Sequence, residues 1–284
     1  MRVSDAQLAT LREQGFVVIP GFIPADELAE AQDALWQVFP RPEAYFADPE
    51  AHRGLGKSQF AGIRHFPYNI PIFDRLCVLP GLVDAAERFL GGPDIDLYKI
   101  ELWAKYAGAT NYDQMHHRDF GNHTLVVPHP DRPQLTTIML LSDVTVDDAP
   151  TCAVPQPLTR DVPMLPMLLN PAGWLDVEIP LTGPAGTLIL YQTTTVHRGS
   201  NFRREGASRF IYMTDFKRRG WPWTGKQAWP DHAIRPGWAE AITAMSVRER
   251  DLFGFPPPGS EYWTPETRAG VQARYPDMDM EPYR

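Results

Sequence analysis

Three side chains in two separate motifs have the types and spacing of a mononuclear metal site. His117 and Asp119 lie two residues apart in QMHHRDF, and His197 lies in TTTVHRGSN. On a β-strand, residues i and i+2 project from the same face, so the imidazole and carboxylate of the first pair can reach one ion. Two histidines and one carboxylate on one side of an octahedron leave open positions opposite, the facial arrangement of Fe(II) oxygenases. The sequence therefore predicts His117, Asp119 and His197 as ligands of Fe(II).

His116 is the competing histidine in the first motif. It stands three residues from Asp119, and on a strand this odd separation sends the two side chains to opposite faces. In a helix, His116 and Asp119 would instead be neighbours. Phe120 and the turn-forming pair Gly121-Asn122 follow the motif directly and favour a strand. The strand selects His117 as the ligand.

An arginine downstream of the second motif adds a binding group for an anion. Arg209 lies twelve residues after His197, in SRFIYMTDF. On an adjacent strand near the metal, its guanidinium can form a bidentate ion pair with a carboxylate such as the distal one of 2-oxoglutarate. Arg203 and Arg204 lie in a stretch typical of a hairpin turn, and we expect both to be exposed.

The elements that must position these residues change in type along the chain. Hydrophobic periodicity, caps and breakers predict helices and strands, with residues 40 to 75 irregular. Helices are expected at 4–14, from 24 to about 38, at 81–90 and within 236–252. Strands are expected at 15–22, at 95–106, around His117, and at 135–144, 175–181, 186–192 and 209–217. Short strands after a helical N-terminal third predict a mainly β fold with flanking helices, either a β-sandwich or a jelly roll.

The composition is that of an ordinary globular chain. Its 284 residues carry a formal net charge of −8, which disfavours binding to nucleic acids because such binding needs a concentrated positive field. Cys77 and Cys152 belong to no Cys-x-x-Cys pattern and are expected to be reduced thiols of a cytoplasmic protein. The sequence has no signal-peptide pattern and no apolar run of membrane-spanning length, so no membrane partner is expected.

Four motifs, taken in order, resemble a known family. They are EQGFVVIPGFIPADEL near the N-terminus, the His-x-Asp pair, GTLILYQTTTVHRGSN, and the arginine that follows. In this order they resemble the phytanoyl-CoA dioxygenase family of Fe(II)/2-oxoglutarate oxygenases over about residues 10 to 217. The resemblance implies a double-stranded β-helix (a cupin-like jelly roll) that uses Fe(II), 2-oxoglutarate and O2. It places Fe(II) on His117, Asp119 and His197, and the co-substrate carboxylate on Arg209. We expect one domain over 1–284, with 218–284 as an extension packed on the core.

The metal motif and one loop bear on the reaction that the resemblance implies. Some halogenating relatives carry Ala or Gly at the position of Asp119, so an intact carboxylate favours hydroxylation or a related oxidation of a small molecule, with release of succinate and CO2. Where many relatives have Pro-Gly-Ser-His between the metal motifs, this chain has APTCAVPQPLTRDVP. The identity of the substrate therefore cannot be taken from the resemblance.

Several further residues are weaker candidates, for which ordinary packing or a loop role is the competing interpretation. Trp103 and Lys105 share one face of the strand predicted at 95–106. Candidates for the co-substrate pocket are Lys105, Thr136 and Tyr191. Candidates for contact with the substrate are Trp103, Asn122 and His123.

Two rival functions remain open at the level of sequence. A cupin-like hydrolase or isomerase also uses two histidines and a carboxylate, but it would not need Arg209. A binding module could keep the fold without turnover, because a fold does not fix a function. Aromatic residues in 36–73 and 221–263 favour an apolar or mixed pocket, and the acidic charge makes a CoA thioester less attractive. The oligomeric state cannot be predicted.

Overall fold

Two antiparallel β-sheets face each other, and helices cover the outer face of the larger sheet. The structure is a computed structural model that describes residues 1–55, 62–109, 113–119, 134–165, 168–220 and 229–284. The helices are α1 (Asp5–Gln14), α2 (Ala25–Ala34), α3 (Pro42–Ala47), α4 (Pro71–Leu76), α5 (Pro80–Leu90), α6 (Trp229–His232), α7 (Trp238–Ala244), α8 (Val247–Leu252) and α9 (Pro265–Arg274). The strands are β1 (Phe16–Ile19), β2 (Ile63–His65), β3 (Ile95–Tyr106), β4 (His116–His117), β5 (Leu135–Leu140), β6 (Thr151–Ala153), β7 (Leu168–Leu169), β8 (Ile179–Leu181), β9 (Leu188–Gln192), β10 (His197–Gly199) and β11 (Ser208–Arg218).

Strands that are distant in the chain are neighbours in both sheets. The larger sheet has the order β1-β9-β5-β11-β3-β2, and the smaller sheet has the order β7-β4-β10-β6-β8. Facing antiparallel sheets with such crossed connections form a jelly roll, which confirms the predicted mainly β fold with flanking helices. In the described ranges, no helix combines the length and the apolar character that crossing a membrane requires.

Alternate residues along the strands of the larger sheet pack into two different hydrophobic cores. Leu102 of β3 and Tyr212 of β11 join the outer core together with Phe89 of α5. Ile211 joins a smaller inner core with Ala153 of the opposite sheet. Successive side chains of a strand point to opposite faces. The odd-numbered residues of β11 therefore face the interior between the sheets.

The sequence predicted α1 and β3 well, but it predicted the short elements of residues 40–75 and the C-terminal helices less well. The bounds of β3 match the prediction, and Ser4 caps α1 through a capping box with Gln7. The helix predicted within 236–252 is two helices, because Ser246 starts α8 with a capping box of its own. The prediction of irregular structure over 40–75 was wrong where α3, β2 and α4 form, and α9 was not predicted.

Tyr98 is the extra residue of a β-bulge in β3. Leu97 pairs with Phe216 and Lys99 pairs with Asp215, so one residue of β3 has no partner in β11. A bulge locally changes which side chains face each side of the sheet. Here Lys99 lies beside Asp215, with 2.8 Å between Nζ and Oδ2.

Aromatic residues of the N- and C-terminal segments pack on the outside of the larger sheet. Phe66 contacts Trp229, Trp238 and Phe253 with ring centroids 5.1 to 6.0 Å apart. The indole N–H of Trp229 donates to the carbonyl oxygen of Leu97 in β3 at 3.0 Å. These aromatics belong to the outer core or pack against it. Trp229, Trp238 and Phe253 also line a pocket of about 480 Å³, whose lining does not include the three candidate metal ligands.

A turn between α1 and β1 provides a test of how tightly this end of the fold is packed. Gly15 has φ +84°, its N–H caps α1, and its carbonyl accepts from Thr195 Oγ1 at 2.7 Å. A Cβ at this position would lie 2.8 Å from Thr195 Oγ1. Gly15→Ala should therefore lower the free energy of unfolding by about 2–3 kcal/mol through left-handed strain and overpacking. Denaturant unfolding measures the change.

Gly21→Ala is the matched control for that substitution. Gly21 also has a positive φ, +65°, but a Cβ there would meet nothing within 4 Å. It should lose only about 1 kcal/mol, the cost of the backbone strain. Equal losses in the two variants would contradict the predicted steric contact with Thr195.

Candidate metal centre

The two metal motifs meet in the smaller sheet. His197 of β10 is the register partner of His117 in β4, and their ring centroids lie 4.4 Å apart. Asp119 lies two residues after the end of β4. Its Oδ1 lies 3.5 Å from Nε2 of His117 and its Oδ2 lies 3.3 Å from Nε2 of His197. One ligand atom from each residue falls within 4.8 Å of the others, so the three can hold one metal ion.

Hydrogen bonds to the backbone orient both imidazoles toward this centre. Nδ1 of His117 donates to the carbonyl oxygen of Met115 at 2.9 Å, and Nδ1 of His197 donates to that of Thr195 at 3.0 Å. A carbonyl oxygen only accepts, so the proton of each neutral ring is on Nδ1 and the lone pair is on Nε2. Both Nε2 atoms are therefore ready to bind a metal, as is usual for metal-binding histidines.

Asp119 is held as a carboxylate by its surroundings. Burial alone would raise the pKa of its carboxyl group, but His197 and His117 outweigh this effect and hold the pKa well below its ordinary value. Tyr191 donates its hydroxyl to Oδ2 of Asp119 at 3.0 Å, and the backbone N–H of Asp119 donates to Thr193. When a metal ion takes the place of the second proton on each ring, two neutral imidazoles and one ionised carboxylate form the donor set that suits Fe(II) with open positions.

The side chains next to the two histidines point away from the centre, to the other face of the smaller sheet. His116 is fully buried, and its Nε2 lies 2.7 Å from Oε2 of Glu178. Arg198 forms a bidentate ion pair with the same carboxylate, at 2.7 and 2.8 Å. Glu178 thus contacts both His116 and Arg198. Each of these two residues is adjacent in the chain to a candidate histidine ligand. This geometry follows the alternation that selected His117 over His116.

Sequence reasoning missed Glu178 and Arg198. Glu178 lies directly before β8 and is far from either motif in the chain, so only the folded sheet brings it to Arg198. The sequence did contain a signal for Arg198. This residue follows a candidate histidine ligand, so its side chain must point to the opposite face of the strand. A buried arginine needs an acidic partner, and this requirement could have directed attention to an unassigned Glu or Asp.

Arg209 and Lys105 are neighbours in the interior. They are register partners on β11 and β3, and both are about 95% buried. The expectation that Arg209 lies on the strand adjacent to β10 was wrong, because β11 belongs to the facing sheet. Contacts across the interior connect this pair of residues with segments next to the smaller sheet. Arg209 donates to the carbonyl oxygen of Ala149, and Lys105 donates to that of Ser200 at 2.6 Å.

In the described parts of the chain, this pair of cations has no acidic counterpart at ion-pair distance, and each cation donates to a backbone carbonyl oxygen instead. The Nε of Arg209 is buried and has no hydrogen-bond partner there. Burial lowers the pKa of Arg209 to about 10, and burial followed by the charge of Arg209 lowers that of Lys105 to about 8. Two buried cations with unused donors are suited to binding an anionic group.

The other residues predicted for the co-substrate and substrate sites each contact a different partner. Thr136 donates its hydroxyl to Asp215 Oδ1, and Tyr191 donates to Asp119. The indole N–H of Trp103 donates to Glu101 Oε2 at 2.9 Å. The assignment of Thr136 and Tyr191 to the co-substrate, and of Trp103 to the substrate, stays a prediction. Asn122 and His123 lie outside the described residues.

Glu178 allows a test of how the outer face of the smaller sheet supports the metal ligands. Glu178→Gln keeps the shape of the side chain but removes the charge that holds Arg198 and His116. We expect the affinity for Mn²⁺, a stand-in for Fe(II), to fall about tenfold, because residues that orient metal ligands typically contribute this much. Calorimetric titration of the metal-free protein measures the affinity.

Asp113→Asn is the matched control. Asp113 also binds Arg198, at 2.8 Å, but its side chain is 60% exposed. Loss of one exposed charge should change metal affinity less than about twofold, because solvent screens such pairs. Similar losses in both variants would show that the network as a whole, and not Glu178, supports the site.

The fold of this chain is similar to the folds of solved enzymes. HygX from Streptomyces hygroscopicus, with nickel and 2-oxoglutarate bound, is 16% identical with a TM-score of 0.58, over 78% of this chain and 90% of HygX. The non-heme, α-ketoglutarate-dependent carbocyclase SnoK from nogalamycin biosynthesis is 17% identical with a TM-score of 0.59, over 83% and 92%. The related epimerase SnoN is 17% identical with a TM-score of 0.50, over 75% and 81%.

Comparison at the level of sequence assigns the family. A search of curated proteins finds no match to this chain. The profile of the phytanoyl-CoA dioxygenase family matches residues 11–210. That range covers more than half of the chain and contains the three candidate metal ligands and Arg209. The chain belongs to the phytanoyl-CoA dioxygenase family.

Proposed function

We propose that this protein is an Fe(II)- and 2-oxoglutarate-dependent oxygenase that oxidises a small molecule. The observation that carries the proposal is the convergence of His117, Asp119 and His197 on one point in the same interior as the buried cations Arg209 and Lys105. The nickel and 2-oxoglutarate bound to HygX, which has the same fold, support this choice of metal and co-substrate.

The three ligands supply the geometry of the reaction. When bound, Fe(II) with 2-oxoglutarate and O2 would provide the oxidising chemistry and release succinate and CO2. His117, Asp119 and His197 would hold the ion, and a set of three protein ligands would leave positions for the co-substrate and O2. Tyr191 holds Asp119 through its hydroxyl, so the carboxylate keeps one orientation.

Arg209 and Lys105 would hold the distal carboxylate of 2-oxoglutarate. The guanidinium can form two parallel hydrogen bonds to a carboxylate, and the ammonium adds a second positive charge. Burial strengthens both interactions because little water competes for the donors. A hydrolase or isomerase would need neither cation, so this pair favours the oxygenase over those rivals.

Hydroxylation is the reaction we propose, because Asp119 occupies the position that halogenating relatives leave open. The solved structures similar in fold include a carbocyclase and an epimerase. The mass of the product distinguishes hydroxylation from these two reactions. Hydroxylation adds one oxygen atom, ring closure removes two hydrogens, and epimerisation leaves the mass unchanged. A screen of metabolites for succinate release, followed by mass spectrometry of the product, distinguishes them.

Asp119→Ala tests the metal centre itself. Removal of the only carboxylate ligand should lower succinate release by about 100-fold or more, because the remaining histidines hold Fe(II) weakly. His117→Ala should behave in the same way, and His116→Ala should keep most of the metal binding. The measurements are succinate release and calorimetric titration with Mn²⁺. The opposite order for the two histidine variants would mean that His116 is the ligand.

The pH dependence of co-substrate binding tests the role of Lys105. Its pKa is about 8, lowered by burial and by Arg209 and raised only partly by Asp113. The ammonium is charged below this pH and loses its proton as the pH rises through it, while Arg209, with a pKa of about 10, stays charged at pH 9. The KM for 2-oxoglutarate should therefore rise about tenfold between pH 7 and pH 9.

Two substitutions provide the controls for this titration. Lys105→Met should show the high KM already at pH 7 and little change up to pH 9. Lys105→Arg keeps the positive charge over this range and should reduce the dependence on pH. A KM of the unaltered protein that is constant from pH 7 to 9 would exclude Lys105 from the co-substrate site.

A further inference from the structure

A second group of charges lies in the interior, away from Arg209 and Lys105. Lys99, Glu101 and Asp215 are 4%, 3% and 0% exposed. Nζ of Lys99 lies 2.8 Å from Asp215 Oδ2 and 3.8 Å from Glu101 Oε2. Burial alone would lower the pKa of Lys99, but Asp215 and Glu101 outweigh it and raise the pKa, so the ammonium stays charged. We name Lys99, Glu101 and Asp215 the mixed-charge cluster.

The mixed-charge cluster is linked to the metal centre by one row of residues across the larger sheet. Thr136 of β5 is the register partner of Tyr191 on one side and of Asp215 on the other, and Asp215 is the partner of Lys99. Tyr191 donates to Asp119 at 3.0 Å. Neighbouring strands are about 4.8 Å apart, so two steps of about 10 Å in total separate Tyr191 from Asp215. A substrate near the metal can reach this distance.

The cluster lies at the other end of β11 from the co-substrate cations. Arg209 and Asp215 are both inward-facing residues of β11, six residues apart. At about 3.3 Å per residue, their backbones are separated by about 20 Å. A co-substrate anchored by Arg209 therefore leaves the cluster for a different ligand.

The mixed-charge cluster has hydrogen-bonding capacity that its own members do not use. Oε2 of Glu101 accepts from Trp103, but Oε1 lies 3.8 Å from His65 Nδ1, which exceeds a hydrogen-bond distance. The ammonium of Lys99 has three N–H donors, and only Asp215 lies within hydrogen-bond distance in the described residues. Oε1 of Glu101 and the ammonium of Lys99 therefore keep an acceptor and donors for a ligand.

This combination restricts the chemistry of a ligand. Lys99 already lies between the carboxylates of Asp215 and Glu101, so an amine that approached them would also be brought close to its ammonium. A carboxylate would meet the net negative charge of the cluster. An aliphatic chain would leave the buried charges without hydrogen bonds, which costs free energy. A hydroxyl group donates to Glu101 and accepts from Lys99 at once. Trp103, partly buried on the same face of β3, adds an aromatic surface for the C–H groups of a ring.

We propose that the mixed-charge cluster and Trp103 recognise the substrate, and that this substrate presents a neutral, polyhydroxylated ring of the carbohydrate type. The inference rests on the proposed function, because it takes the interior next to the triad as the place where the substrate binds. It extends that function by assigning a substrate class and three residues that the family motifs do not include.

The test measures binding to the full chain loaded with Ni²⁺ and 2-oxoglutarate. The probes are neutral methyl glycosides of one and two sugar rings, hexylamine, hexanoate and hexanol, titrated by calorimetry. We expect saturable binding of at least one glycoside and weaker or no binding of the other three compounds. Glu101→Gln should weaken the glycoside at least about tenfold, because one charged hydrogen-bond acceptor is lost.

Glu87→Gln is the matched control, since Glu87 lies on α5 and pairs with Arg248 on the outside of the fold. It should bind the glycoside as the unaltered protein does. A monodeoxy glycoside should bind the unaltered protein less well than its parent, and the two should differ less in Glu101→Gln, which identifies the hydroxyl that contacts this carboxylate.

The outcomes separate the two proposals. Failure of the Fe(II)-loaded protein to release succinate from 2-oxoglutarate, with or without any probe, would overturn the proposed function. Release of succinate together with a preference for the amine, the acid or the alcohol would overturn the substrate class alone. Absence of glycoside binding would do the same. A Glu101→Gln protein that is less stable but binds the glycoside normally would show that the cluster is structural.

Discussion

The pairing of β4 with β10 is the constraint on which the site depends. These strands are only two and three residues long, yet their register places His117 opposite His197. A slip of β4 by one residue would turn His117 to the outer face and bring His116 inward, and a slip of β10 would exchange His197 and Arg198 in the same way. The ion pairs of Glu178 on the outer face oppose such a slip, because they would have to break. The same alternation that forms the metal centre therefore also forms its support.

The interior of this jelly roll is unusual for a protein core because it holds so many charges. Burying a charge is costly unless it is paired or has a functional partner. The outer core can supply the stability that the inner one lacks, since the helices and the C-terminal aromatics bury a much larger apolar set there. The smaller inner core, which includes Ile211 and Met213, lies between the two charged ends of β11.

Local rules predicted the features that depend on neighbours in the chain. The spacing of His117 and Asp119, the cap of α1 and the bounds of β3 all follow from alternation, capping and hydrophobic patterning. Contacts between distant strands could not be predicted in this way. The support by Glu178 and the ion pair of Lys99 with Asp215 depend on sheet register, and the second also depends on a bulge at Tyr98. Neither register nor bulge has a signal in the motifs.

Composition was a poor guide to the position of the aromatic residues for a related reason. The number of aromatic residues indicates how much apolar surface a chain can bury, but it does not indicate which face of a sheet these residues cover. In this chain Trp229, Trp238 and Phe253 lie on the outer face. The inner face of β3 and β11 carries Lys99, Glu101 and Asp215 beside the small inner core. The candidate metal ligands and Arg209 lie within the family motifs. The mixed-charge cluster lies outside those motifs, so its charges, and not the motifs, are the basis on which we propose a substrate class.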